Sequence, residues 1–355
     1  MDSVFPFGFP FATAFYLTAY VVTLALHVAF MNYVLAGTAY LAVKGRVQTP
    51  SAYILKDWMP LMLSGAITAG VAPLLFVQIL YKEGYYTANL LLFNRWMAIL
   101  PVLIVGFYAL YLLKSGWLKR RSPWFIAILY SFPFLCIAFT GYSWTENHLL
   151  SVRQSSEWVA FYATKSQFYV EPQLLPRLLV WAFGAIPTLM TILAWQLSHH
   201  GHPFSASHAK LAIGGIVLAL ASASGYYFVA DDTTRHAFFG GMGLPWFVLA
   251  WLGIVIQVIG WVLTLRAEQW SRRNLLIITG GLSSTLLGMT VCREAVRIAT
   301  LGRERFEALH PIHQEAFSRG GFPFFVFFFV VNTILIGLCF WIVRTQRADN
   351  ETNPH

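Results

Sequence analysis

The chain has 355 residues, of which 57% are hydrophobic, 17% aromatic and only 11% charged, with a net charge of +9 and a mean hydropathy of +0.61. That balance excludes a soluble globule and identifies an all-α polytopic membrane protein. The surplus of bases calls for no nucleic acid, because loop Lys and Arg orient a membrane protein and meet anionic lipid.

Apolar runs of about 20 residues, the length that crosses hydrocarbon, predict nine helices. They are Ala12 to Val43, Met59 to Tyr81, Trp96 to Leu113, Trp124 to Tyr142, Leu174 to Leu197, Leu211 to Ala230, Leu244 to Leu265, Leu275 to Cys292 and Phe322 to Val343. Met1 to Pro10 has no basic region, and the first run exceeds a signal-peptide core, so it is expected to be retained. In short connections on one side lie Lys44, Arg46, Lys56, Lys114, Lys119, Arg120, Arg121, Lys210, Arg266, Arg272, Arg273, Arg344 and Arg347. These bases mark the cytoplasm, which puts the N-terminus outside and the C-terminus inside. With no low-complexity run or internal repeat, residues 1–355 read as a single transmembrane domain.

The first run carries His27, in Leu-Ala-Leu-His-Val-Ala-Phe-Met-Asn-Tyr-Val-Leu-Ala-Gly37. An imidazole is costly in a bilayer and usually faces a bundle interior that binds it. Position alone leaves two readings open: a ligand to haem iron, or a neutral ring hydrogen-bonded to a neighbouring helix. Pro73, Pro101, Pro133 and Pro187 are candidate kinks. Cys136, Cys292 and Cys339 are too scattered for a disulfide framework, and without C-x-x-C-H a haem would be held by ligands alone.

Four external segments hold most of the remaining polar chemistry: Lys82 to Arg95, Ser143 to Gln173, Asp231 to Gly243 and Arg293 to Gly321. Glu157-Trp-Val-Ala-Phe-Tyr in the second suits an interfacial amphipathic helix or a plain aromatic belt. Asp231 and Asp232, before Arg235 and His236 in a short outer loop, suit a cap on the bundle or, less readily, a partner contact. His199, His200, His202 and His208 read as a solvated turn, and His310-x-x-His313, interrupted by Pro311, as a polar loop. At the end of the eighth run, Arg293, Glu294 and Arg297 lie on a continuing helix, with Glu294 and Arg297 on one face. The carboxylate suits an iron or its surroundings and the guanidinium groups suit haem propionates. An interfacial salt bridge is the alternative.

Together these stretches resemble subunit I of the cytochrome bd quinol oxidases, nine-helix haem proteins with an external N-terminus. The family's ligand histidine in helix one, with a phenylalanine and a glycine after it, corresponds to His27, Phe30 and Gly37. Its second-helix series is similar to Gly70, Pro73, Phe76 and Gln78. Met242-Gly-Leu is similar to the methionine that ligates a second haem, and Glu294 with Arg297 to a glutamate and arginine of helix eight. The resemblance implies one or more b-type haems, with His27, Met242 and Glu294 as iron ligands and Gln78, Arg293 and Arg297 binding the cofactor. The chain also departs from the family. The glutamine, proline and tryptophan that follow the helix-eight arginine are missing, and Val180 stands where helix five supplies a histidine. His148 and His236 are the candidate substitutes, although a lone loop histidine is normally solvated. Asn94 and Val102 replace two helix-three glutamates, and Asp231 to Gly243 is short where the family has a long quinol-binding loop.

The expected function is therefore a haem-bearing electron-transfer subunit of a redox complex in a bacterial inner membrane, and not a complete oxygen reductase. Its expected partners are other subunits, an external cytochrome and quinone. Two other classes stay open: a non-catalytic anchor or assembly subunit, and a small-molecule transporter, which usually shows paired halves.

Overall fold

The computed structural model describes residues 3–4, 8–47, 49–115 and 122–321, together with 323–328, 330, 331, 334 and 338. Most of the expected ninth span, Phe322 to Val343, lies outside them, as does Cys339. Thirteen α-helices are described: α1 (Phe11–Lys44), α2 (Pro50–Leu80), α3 (Lys82–Leu91), α4 (Phe93–Lys114), α5 (Pro123–Ser151), α6 (Ser155–Ala163), α7 (Leu174–His199), α8 (Ala206–Val229), α9 (Asp232–Phe239), α10 (Leu244–Ala267), α11 (Arg272–Leu301), α12 (Arg303–Glu307) and α13 (His310–Ala316). Among the described residues eight of these are long and apolar enough to cross a membrane: α1, α2, α4, α5, α7, α8, α10 and α11. They coincide with the first eight expected spans, and the protein is an all-α multi-pass membrane protein.

By its internal contacts the chain divides into two units, Tyr16–Glu307 and a smaller one made of Met1–Phe15 with Ala308–His355. In the smaller unit, β1 (Ser3–Val4) pairs antiparallel with β2 (Phe9–Pro10), and the buried His313 ring lies 2.9 Å from the Thr13 hydroxyl. The expected polar loop at His310 is helical. Pro311 falls in the first turn of α13, where its missing N–H costs nothing.

In Tyr16–Glu307 short connections reverse the chain, and α4 with α5, α7 with α8 and α10 with α11 pack most extensively. Small residues set the closest approach. A Cβ on Gly281 would stand 2.7 Å from the Gly253 carbonyl oxygen, so α10 and α11 meet backbone to backbone. Tyr33, Leu55, Leu63 and Trp261 are fully buried in the core. Hydrogen bonds pin its layers: Asn32 to Thr188 at 3.1 Å, Trp181 to Asn32 at 2.9 Å and Trp195 to Thr279 at 2.8 Å. His208 departs from the solvated turn expected of it. Because α8 starts at Ala206, His208 sits in its first turn, buried, 2.7 Å from the hydroxyl of Ser51 on α2. The short outer loop expected at Asp231 is helical, and the Asp231 side chain caps that helix, accepting from the Thr234 N–H at 2.7 Å at the start of α9.

Candidate functional site

α2, α5, α8 and α11 finish at the same end of the Tyr16–Glu307 bundle, where α4, α7 and α10 begin. Most of the candidate residues lie in this half. His27 projects from α1 toward α2, with its Nδ1 2.8 Å from the Ala66 carbonyl oxygen. A carbonyl can only accept, so Nδ1 carries the proton, and in the neutral ring Nε2 keeps its lone pair. Nε2 makes no hydrogen bond among the described residues. Gly70, one turn beyond Ala66, leaves the ring its space, since a Cβ there would come within 2.8 Å of the imidazole Cε1. Both sequence readings of His27 thus meet in one geometry: the ring does bond a neighbouring helix, through the nitrogen a ligand would not use.

At the Ser151 and Leu301 ends of α5 and α11 a buried polar cluster gathers. The Tyr81 hydroxyl donates to Glu294 Oε1, and the Arg297 guanidinium lies over the Tyr81 ring, 3.9 Å from its centre. Arg297 Nη2 reaches the Ser151 hydroxyl at 3.4 Å. Glu294 Oε2 and Arg297 Nε are buried without a hydrogen-bond partner. Glu294 and Arg297 therefore do not form the interfacial salt bridge offered as an alternative; both turn inward on the face they share. Burial, and next the Glu294 charge, hold the Tyr81 phenol well above its ordinary range, so it stays a neutral donor. Arg293, on the same helix, is close enough to His27 and to Tyr20 to act on their charge.

His148, expected as a solvated loop side chain, belongs to this interior. α5 continues past Tyr142 to Ser151, which leaves His148 only 8% exposed, within the fields of Arg177, Arg293 and Arg297. One group escaped the sequence reading: Arg95 on α4 is ion-paired with Glu146 on α5, both buried, and the Tyr169 N–H donates to the same carboxylate. The available signal was an acid two residues from His148. It went unused because Ser143 to Gln173 read as a loop.

The remaining candidates lie apart from this cluster. Gln78 accepts from the Tyr86 hydroxyl at 3.4 Å. Met242 lines a recess of about 430 Å³ with His236 and with Ala295, Ile298 and Ala299 of α11. Those α11 positions point roughly a third of a turn away from Glu294 and Arg297, so Met242 and Glu294 serve different faces of the helix. Among the described residues no group of three or more His, Cys, Asp or Glu is placed to hold a bare metal ion. A haem makes a smaller demand, since its porphyrin supplies four nitrogens and the protein need add only an axial ligand and partners for the propionates. His27 and the interior arginines fit that demand. The chain matches no protein-family model and no curated relative.

Proposed function

We propose that the protein is a membrane-embedded electron-transfer subunit that binds b-type haem through His27. The observation that carries this reading is the state of that imidazole. Its Nδ1–H is committed to the Ala66 carbonyl and its Nε2 is left with no partner inside a membrane span. Ligating histidines are typically held in this way, with the second nitrogen donating to a carbonyl that fixes the tautomer and raises ligand basicity. Glu294, Arg293 and Arg297 give the same interior the charges an iron porphyrin needs, in agreement with the resemblance to cytochrome bd subunit I. The bound haem would supply one-electron chemistry; the chain's part is to hold it, keep water out and balance its charge. Quinone, companion subunits and an external cytochrome are its proposed partners, and a bacterial inner membrane is its proposed location.

A reduced-minus-oxidised spectrum of the purified protein tests the reading, with b-type absorbance bands as the expected result. His27→Ala should lose most of the bound haem while inserting normally, because insertion follows span hydrophobicity. A folded preparation with no such bands, or unchanged haem content in His27→Ala, overturns it.

A further inference from the structure

We propose that Phe30 and Gly65 are positioning residues of the His27 site: the Phe30 ring, seated on Gly65, fixes where α1 lies along α2 and so tunes the iron potential through the ligand. The redox half of this inference rests on the haem reading; the placement of the ring does not.

α1 and α2 run antiparallel, and large side chains of each helix enter glycine notches on the other. A Cβ on Gly37 would meet Met59 Cε at 2.4 Å, one on Gly65 would meet Phe30 Cε1 at 2.9 Å, and one on Gly70 would meet His27 Cε1 at 2.8 Å. From Gly37 through Phe30 to His27, the partners on α2 run from Met59 through Gly65 to Gly70, a single register. Ala66, whose carbonyl oxygen stands 2.8 Å from His27 Nδ1, is the neighbour of the Phe30 seat in sequence. His27 and Phe30 share one face of α1 a turn apart, so a shift of the helix at the phenyl ring carries the imidazole with it.

Just past Phe30, Asn32 and Tyr33 bond Thr188 and Gln196 of α7, each at 3.1 Å. Those bonds tie α1 to α7 and leave its approach to α2 to the notches. Met59 Cε is the end of a flexible thioether that yields, whereas Phe30 is a rigid plate, partly buried against the core. Carbon atoms in contact sit about 3.5 Å apart, so a methyl group on Gly65 drives the ring back by roughly 0.6 Å. The same displacement at His27 takes its 2.8 Å contact with the Ala66 oxygen past about 3.2 Å, the upper end for an N–H···O bond. A weaker bond at Nδ1 makes Nε2 a less basic ligand, which favours reduced iron.

The test is Gly65→Ala, which alters no ligand and by itself favours a helix. It should weaken haem binding about tenfold and raise the midpoint potential of the haem that binds. Phe30→Leu/Gly65→Ala, in which the methyl group takes the space the ring gives up, should reverse both changes. A change in melting temperature with the potential unmoved makes the pair structural and overturns the proposal, as does a double variant no better than the single one. If Gly65→Ala does not fold, Phe30→Leu alone, which adds no bulk, should also raise the potential, and an unmoved potential sinks the idea. If the unmodified chain yields no b-type bands, it is the haem reading that fails, and the ring is followed directly. In protein with isotope-labelled histidines, the NMR signal of the Nδ1–H that disappears in His27→Ala should shift in Gly65→Ala and return in the double variant. A signal that Gly65→Ala leaves in place ends the positioning claim.

Discussion

At the scale of single residues, the protein separates two kinds of interior charge. Arg95 and Glu146 satisfy each other, and the segment after α6 is tied to both: Gln167 and Tyr169 bind through their backbones, and the Phe168 ring lies 4.1 Å from the Arg95 guanidinium. Breaking such a pair leaves one charge buried and unopposed, which costs about 3–5 kcal/mol, whereas replacing both partners by apolar groups is often neutral. Glu146→Ala should therefore lower the unfolding free energy in micelles by about that amount, and Arg95→Met/Glu146→Leu should recover most of it. A single variant as stable as the unmodified chain would show that solvent reaches the pair. Arg153 belongs to the same group. Burial opposes its charge, but the hydrogen bond and the charge of Glu171 outweigh burial and hold its guanidinium above the ordinary value. Glu294, Arg293 and Arg297 are the other kind, gathered without forming an ion pair among the described residues, beside the His27 on which the proposed function rests. His27, Glu294 and Arg297 were legible as chemistry because a polar residue in an apolar run is conspicuous. Their partners Tyr81 and Ser151 were not: Tyr81 closes an expected span as one more aromatic residue, and Ser151 lies where mixed composition reads as loop.

At the scale of elements, the spans were legible because eight long apolar helices leave an unmistakable composition. Their ends were harder to read. α5 runs nine residues beyond Tyr142, through Ser143, Glu146, Asn147 and His148; α4 supplies Arg95 for Glu146 and α3 supplies Asn89 for Asn147, at 2.7 Å, while Ser143 bonds the Phe139 carbonyl of its own helix. A hydropathy window sees the polarity and misses the partner on the next helix. The same limit hid why Gly70 matters. It lies on α2, and its missing side chain is the space that the His27 ring occupies. Gly70→Ala would bring a methyl group within 2.8 Å of Cε1 and 3.0 Å of Nδ1, so the ring must move and its bond to Ala66 must weaken. Haem content should then fall although no ligand has been altered, measured as absorbance per mole of folded protein. An unchanged haem-to-protein ratio would mean that the ring's position does not govern ligation. Gly281→Leu makes a contrast, since it forces α10 from α11 at the Gly253 contact. It should cost about 1–3 kcal/mol by overpacking.

At the scale of the whole molecule, orientation follows from which bases are free to act as loop charges. Counted along the sequence, the two sides carry similar numbers, which makes the positive-inside rule hard to apply. The structure removes several bases from one side of that count. Arg95 and Arg297 are buried within helices, and Arg177 and Arg293 are partly buried there. On the opposite side Lys44, Arg46, Lys210, Arg266, Arg272 and Arg273 lie at the ends of spans or in the short connections between them, and Lys114 is exposed beside Asp57 at 2.6 Å. The loop-charge asymmetry is therefore steeper than the sequence suggests, and it predicts that α6 faces the outside while the connection from α7 to α8 faces the cytoplasm. In a chain with Cys136, Cys292 and Cys339 replaced by alanine, Thr164→Cys and Ser207→Cys provide one exposed thiol on each side. A membrane-impermeant maleimide applied to intact cells should label Thr164→Cys at once and Ser207→Cys only after the membrane is opened. The reverse order would invert the orientation and put the Arg177, Arg293 and Arg297 end of the bundle against the cytoplasm, where an external cytochrome could no longer be its electron partner.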